Sequence, residues 1–151
     1  MNKNIKFAIV ASEFNKEISQ NLINGATGKF IELGLDDNNY KIFTVPGAFE
    51  IPGLVKQILS KNQNSYDAIV TLGCIVKGET AHFEYISAEV SRGLADVMQQ
   101  TGVPLGFGVL TTYTTEQALE RSKGDASNKG YEATASAIEM ASLLKQLKEE
   151  K

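Results

Sequence analysis

Tryptophan is absent from this chain, and cysteine and histidine occur once each among its 151 residues. A single cysteine, Cys74, excludes an internal disulfide and fits a reducing compartment. A single histidine, with no carboxylate cluster at ligand spacing, gives no support to a metal site. No glycine-rich fingerprint of a Walker loop or a dinucleotide fold occurs. No run approaches the roughly 18–20 apolar residues of a membrane span. The opening Met1–Lys6 followed by Phe7–Ala11 is too short, and too soon broken by Ser12-Glu13, for a signal peptide. A cytoplasmic location is therefore expected. Basic charge is also short: 15 Lys and Arg stand against 18 Asp and Glu, a formal net charge of −3 without blocks. Nucleic acid needs a basic stripe, so it is not the expected partner. A small phosphorylated molecule needs only an arginine and a few backbone N–H groups, and it stays within reach.

What the chain does have is a core. Its hydrophobic fraction is 42%, enough for one domain over residues 1–151. Four apolar runs read as strands buried on both faces: Ile5–Ala11, Tyr40–Val45, Ala68–Leu72 and Leu105–Leu110. Helical periodicity separates them. Lys16–Leu33 carries Ile18, Leu22, Ile23, Ala26 and Phe30 on one stripe and stops at Gly34. Phe49–Ser60 follows with Ile51, Leu54, Val55 and Ile58. Phe83–Thr101 carries Ile86, Val90, Leu94, Val97 and Met98 and stops at Gly102. Thr115–Ser122 is short, and Lys129–Leu147 closes the chain with Ala137, Ile138, Ala141, Leu144 and Leu147. Strand and helix alternate, which predicts a mostly parallel sheet with crossover helices. Ligands of such sheets sit beyond the carboxyl ends of the strands. That rule selects four loops: Ser12–Asn15, Pro46–Glu50, Gly73–His82 and Thr111–Thr114.

The third loop is the richest. Gly73 and Gly78 let backbone approach a ligand, and N–H groups entering a helix favour an anion. His82 stands at the helix entrance, and histidine titrates near neutral pH. A lone histidine is more often a cap or a surface residue, but a strand end beside Gly-Glu-Thr favours a proton shuttle. Glu84 reads as an exposed helical glutamate. In the second loop Pro46-Gly47 marks a turn, Pro52 is tolerated in a first helical turn, and Glu50 is either an N-terminal cap or an acceptor for ligand hydroxyls. Phe14 is an aromatic at a loop tip, able to stack on a planar ring or to staple a helix. Phe107 reads locally as core. Cys74 reads as packing and backbone. Arg121 and Lys129 flank the polar loop Ser122–Asn128, which holds either solvent or a phosphate.

Taken together, Phe14-Asn15, Val45–Pro52, Leu72–Tyr85, Thr101–Thr112 and Glu120–Met140 with its Asn128-Lys129-Gly130 closely resemble the 6,7-dimethyl-8-ribityllumazine synthase family. The similarity is collinear from about Ile5 to Leu147. It implies a flavodoxin-like three-layer α/β/α sandwich with a four-stranded parallel sheet. It implies a transferase acting in the penultimate step of riboflavin biosynthesis, without metal or organic cofactor. The implied substrates are 5-amino-6-(D-ribitylamino)uracil and 3,4-dihydroxy-2-butanone 4-phosphate, and phosphate and water are released. By position, Phe14 is expected to stack on the pyrimidine, with Asn15 in support. Ala48, Phe49 and Glu50 line the ring and ribityl chain. Cys74, Ile75 and Val76 hold the heterocycle largely through backbone. Glu79 and Thr80 meet the phosphate with main-chain N–H groups, Arg121 clamps it, and His82 moves protons. Phe107 and Lys129 complete the pocket. Sites of the family lie between neighbouring subunits, so these last residues are expected from an adjacent chain.

The resemblance further implies a homopentamer or a multiple of it. Members often carry a segment before the first strand that pairs with a neighbour's sheet, whereas Met1–Asn4 alone precedes it here. The loop Ser122–Ser127 has the usual length without the commoner Ala-Gly-Thr-Lys-Ala-Gly wording, which leaves a sixty-subunit icosahedral shell open, with riboflavin synthase as the partner such a shell encloses. Lys77 stands where arginine is frequent. Two other classes compete: a non-catalytic flavin or lumazine carrier, and a flavodoxin-like signalling domain. A carrier does not require His82, Arg121 and Lys129 together, and a signalling domain needs an acidic pocket that the strand ends lack.

Overall fold

A computed structural model describes residues 3–13 and 15–150. Four strands, β1 (Phe7–Ser12), β2 (Tyr40–Val45), β3 (Ala68–Val76) and β4 (Leu105–Thr112), form one parallel sheet in the order β2-β1-β3-β4. Five helices cover it: α1 (Lys16–Glu32), α2 (Ile51–Lys61), α3 (His82–Thr101), α4 (Thr115–Glu120) and α5 (Lys129–Glu149). Alternate side chains of β1 and β3 divide the core. Phe7, Ile9, Val70, Leu72 and Cys74 pack with α1 and α5, while Ala8, Val10, Ile69 and Ile75 pack with α2 and α3. This is the three-layer α/β/α arrangement expected, and the flavodoxin-like order places the crossover point between β1 and β3.

Local chemistry explains the element ends. Asn15 caps α1, its side chain accepting from the Ile18 N–H at 3.2 Å, and Gly34 follows with φ of 79°. Pro52 falls in the first turn of α2, where its missing N–H costs nothing. Gly102 ends α3 in the left-handed region. On the α1/α5 face, Phe7 and Phe30 lie 4.9 Å apart between ring centroids, and Tyr40 stacks on Phe30 at 5.1 Å. Burying Phe7 and Phe30 is worth about 1.5–3 kcal/mol each.

Some expectations need correcting. β2 is not buried on both faces; it is the sheet edge, with Lys41, Ile42 and Thr44 exposed. The last turns of α5 run past the sheet, so Leu147 is exposed rather than packed. β3 and β4 continue to Val76 and Thr112, which turns the first residues of two expected loops into strand. A Cβ on Gly73 would lie 2.7 Å from Ser12 Oγ and 3.2 Å from Ile51 Cδ1. Gly73 therefore admits β1 and α2, not a ligand.

Candidate functional site

The carboxyl end of the sheet is uneven. Pairing of β1 with β3 ends at Ala11↔Leu72, while β3 stays paired with β4 as far as Val76↔Thr112. β3 thus runs four residues, Gly73 to Val76, past its last pair with β1, and three past the end of β1 at Ser12. Within β3, the Ile69 N–H donates to the Pro104 carbonyl, and just past its end the Lys77 N–H donates to the Thr112 carbonyl. Odd-numbered residues face β4, so Cys74 and Val76 turn their peptide groups toward the side where β1 has stopped. The Cys74 side chain is buried in the α1/α5 core, and burial pushes its thiol up to about 11. It stays protonated near neutral pH and is no nucleophile. Any contribution of Cys74 to a ligand comes from its backbone, as expected.

Beside this shelf the chain leaves β2 through Pro46-Gly47 into a single 3-10 turn, Ala48–Glu50, which packs against β1, β3 and α3. Ala48 is buried; Phe49 is 60% exposed, and Glu50 is exposed. Glu50 precedes α2 without a side-chain cap bond, and its carboxylate folds back toward Gly47. This frees it from the capping role.

Beyond Val76, residues 77–81 form an exposed turn leading into α3. Ala81 occupies the N-cap and supplies no side-chain acceptor. Of the N-terminal amides of this twenty-residue helix, the His82 N–H donates to Thr80 Oγ1 and the Tyr85 N–H to the Ala81 carbonyl, while those of Phe83 and Glu84 stay available to an anion. His82 is the first residue of α3, exposed, with its N–H 3.4 Å from Thr80 Oγ1. Glu84, two residues on, projects from another side of the helix and does not orient the imidazole. A feature that the sequence reading passed over sits next to this turn. The Tyr113 ring, 68% exposed, lies 6.0 Å from the Phe83 ring and beneath Lys77 Nζ at 5.7 Å. Its signal was present: an aromatic in a loop already selected by the strand-end rule.

The remaining expected residues do not join this group within one chain. Phe107 is 40% exposed on β4, in a groove with Thr71, Leu94, Met98 and Leu105. It lies five residues before the end of β4, roughly 17 Å down the strand. Its exposure overturns the local reading of a core residue, because β4 is a sheet edge that α3 only partly covers. Arg121 is exposed at the end of α4, its Nη1 donating to the Gln117 carbonyl at 3.1 Å. Lys129 starts α5 and pairs with Glu132 at 3.5 Å. Between them Asn128 is buried and fully bonded. Its Nδ2 donates to the carbonyls of Asn21 and Lys123, and its Oδ1 accepts from the N–H groups of Gly130 and Tyr131. Phe14, the expected stacking ring, lies outside the described residues.

Two larger hollows, of about 340 and 610 Å³, lie away from these loops, between α1 and the 122–128 loop and at the amino ends of the strands. The chemistry-bearing groups are at the strand ends, so that is where the site is sought. Among the described residues no group of three or more His, Cys, Asp or Glu could hold a metal, and no helix is long and apolar enough to cross a membrane.

Residues 4–145 match the family model described as 6,7-dimethyl-8-ribityllumazine synthase, and the chain belongs to that family. It is an enzyme, a transferase of riboflavin biosynthesis, with small-molecule substrates; oligomeric assembly is typical of the family.

Proposed function

We propose that this lumazine synthase family member condenses 5-amino-6-(D-ribitylamino)uracil with 3,4-dihydroxy-2-butanone 4-phosphate to give 6,7-dimethyl-8-ribityllumazine. The observation that carries this reading is the overrun of β3, which leads directly into the exposed 77–81 turn and His82. The heterocycle lies along the backbone of Cys74, Ile75 and Val76, flanked by Phe49 and by Phe14. Ala48 and Glu50 receive the ribityl chain, Glu50 by accepting from its hydroxyls. The phosphate sits on the main-chain N–H groups of Glu79 and Thr80, at the start of α3.

Each condensation of an amine with a carbonyl forms a C–N bond and expels one water. Between the two, the phosphate leaves as a neighbouring C–H proton is given up. His82 stands where these protons can be taken and returned. The reactants are intrinsically reactive, so juxtaposition does most of the work and one acid–base group assists. No metal or organic cofactor is required.

Among the described residues, no arginine of the same chain stands at the strand-end shelf. A neighbouring copy supplies Arg121, Phe107 and Lys129, with Asn15 holding the loop that carries Phe14. The protein is then a single domain over residues 1–151, assembled in the cytoplasm as a pentamer or a multiple of it, with riboflavin synthase a partner for a closed shell. Light scattering reads the assembly: a pentamer mass or a multiple supports the shared site, and a monomer overturns it. Incubating the protein with both substrates and following lumazine absorbance tests the activity. A rate no higher than the spontaneous reaction would sink the catalytic reading.

A further inference from the structure

We propose that Tyr113 is a positioning residue that braces the 77–81 turn from both ends; the inference rests on the reading of that turn as the phosphate site. Residues 77–81 are exposed, and the backbone ties of the segment stand at its ends, from the Lys77 N–H to the Thr112 carbonyl at 2.9 Å and from the Tyr85 N–H to the Ala81 carbonyl at 3.4 Å. A Cβ on Gly78 would meet nothing within 4 Å, so the middle of the turn has open space around it. Order must come from the flanks. Lys77, on one side, holds its ammonium 5.7 Å from the Tyr113 centroid, within cation–π range. Phe83, on the other, meets the same ring at 6.0 Å and an interplanar angle of 43°, within the range of tilted aromatic pairs. One side chain thus touches the residue entering the turn and the first core residue beyond it.

Tyr113 can serve as a brace because its own backbone is held. Its N–H donates to Gln117 Oε1 at 2.8 Å, the Gln117 N–H donates to Thr114 Oγ1 at 3.1 Å, and Thr112 Oγ1 donates to the Thr114 carbonyl at 2.9 Å. The β4–α4 connection is therefore a bonded corner, and the ring projecting from it restrains the neighbouring, sparsely bonded turn. The contact needs the ring face, not the hydroxyl. Phenylalanine should replace tyrosine without loss, and alanine should not.

The test uses the assembled protein with Tyr113→Ala and Tyr113→Phe, read by hydrogen exchange at the bonded amides that bound the turn, those of Lys77, His82 and Tyr85, and by steady-state kinetics. Tyr113→Ala is expected to speed exchange about fivefold and to raise KM for the butanone phosphate about tenfold, with kcat and the pyrimidine KM changed less than about twofold. Tyr113→Phe is expected to match the parent in both. Unchanged exchange in Tyr113→Ala, or equal damage in Tyr113→Phe, overturns the brace. Faster exchange with an unchanged KM supports the brace while overturning the assignment of phosphate to the turn, so the two failures are distinguishable.

Discussion

The half of the proposed site carried by β3 and α3 is contiguous in one chain, whereas Phe107, Arg121 and Lys129 are spread over β4, the end of α4 and the start of α5. The first half is made by element lengths: one strand outlasting its neighbour, and one helix whose N-cap residue, Ala81, supplies no side-chain acceptor. The second is made by packing. Asn128 makes three side-chain bonds within residues 123–131 and a fourth to the Asn21 carbonyl of α1, and Arg121 and Lys129 flank that knot, bonded to Gln117 and Glu132 of their own chain. The proposed reading assigns this second half to a neighbouring chain.

The largest effect expected comes from untying the knot. A Cβ on Gly130 would stand 2.1 Å from the Leu22 carbonyl oxygen, so Gly130→Ala must push α5 from α1. A loss of about 3 kcal/mol, or roughly 6–12 °C in Tm, should appear in thermal unfolding. An unchanged Tm would mean that the two helices are not locked there. Arg121→Ala comes next. Losing a charge-assisted clamp should raise KM for the butanone phosphate about 10- to 100-fold and leave the pyrimidine KM nearly constant. Equal effects on both substrates would remove Arg121 from the phosphate.

His82→Ala should slow turnover by about tenfold or somewhat more without abolishing it, since positioning survives. Complete loss in a folded protein would contradict that division of labour. These two variants also sharpen the comparison between halves. When His82→Ala and Arg121→Ala chains are co-assembled, roughly a quarter of the interfaces carry both native residues. Activity above the sum of the separate variants places the halves on different chains; strict additivity places them on one.

The smallest effect concerns Cys74, whose thiol is raised from 9.0 to about 11 by burial. The neutral thiol is favoured in the fold, so this contribution to stability is present below pH 9 and is lost as pH rises toward 11. The Tm difference between the parent and Cys74→Ala should narrow over that range. A constant difference would show that the thiol is not buried in the folded chain.

The α/β alternation and the parallel sheet were legible because crossover connections leave few other topologies. The edge character of β2 was half legible: Lys41 and Thr44 interrupt an otherwise apolar run, but Tyr40 and Phe43 concealed it. Gly73 misled because glycine has the same signature whether a ligand or a serine side chain approaches it. Phe107 was legible only by resemblance, since an apolar residue in a strand gives no local sign that its face is uncovered. Tyr113 escaped because its importance comes from neighbours 30 and 36 residues away in sequence, Phe83 and Lys77.

The four residues of β3 beyond its pairing with β1 also change what kind of mutation threatens the proposed site. Recognition through peptide groups is indifferent to which side chains those residues carry, provided the core beneath accepts them. It is sensitive to count. One residue deleted between Gly73 and Val76 would reverse the facing of every peptide group beyond it and shorten the ledge, although each remaining amino acid was native. On the proposed reading, substitutions that fit the core should be tolerated at Cys74, Ile75 and Val76, but not at Gly73, while insertions and deletions should not be tolerated at all.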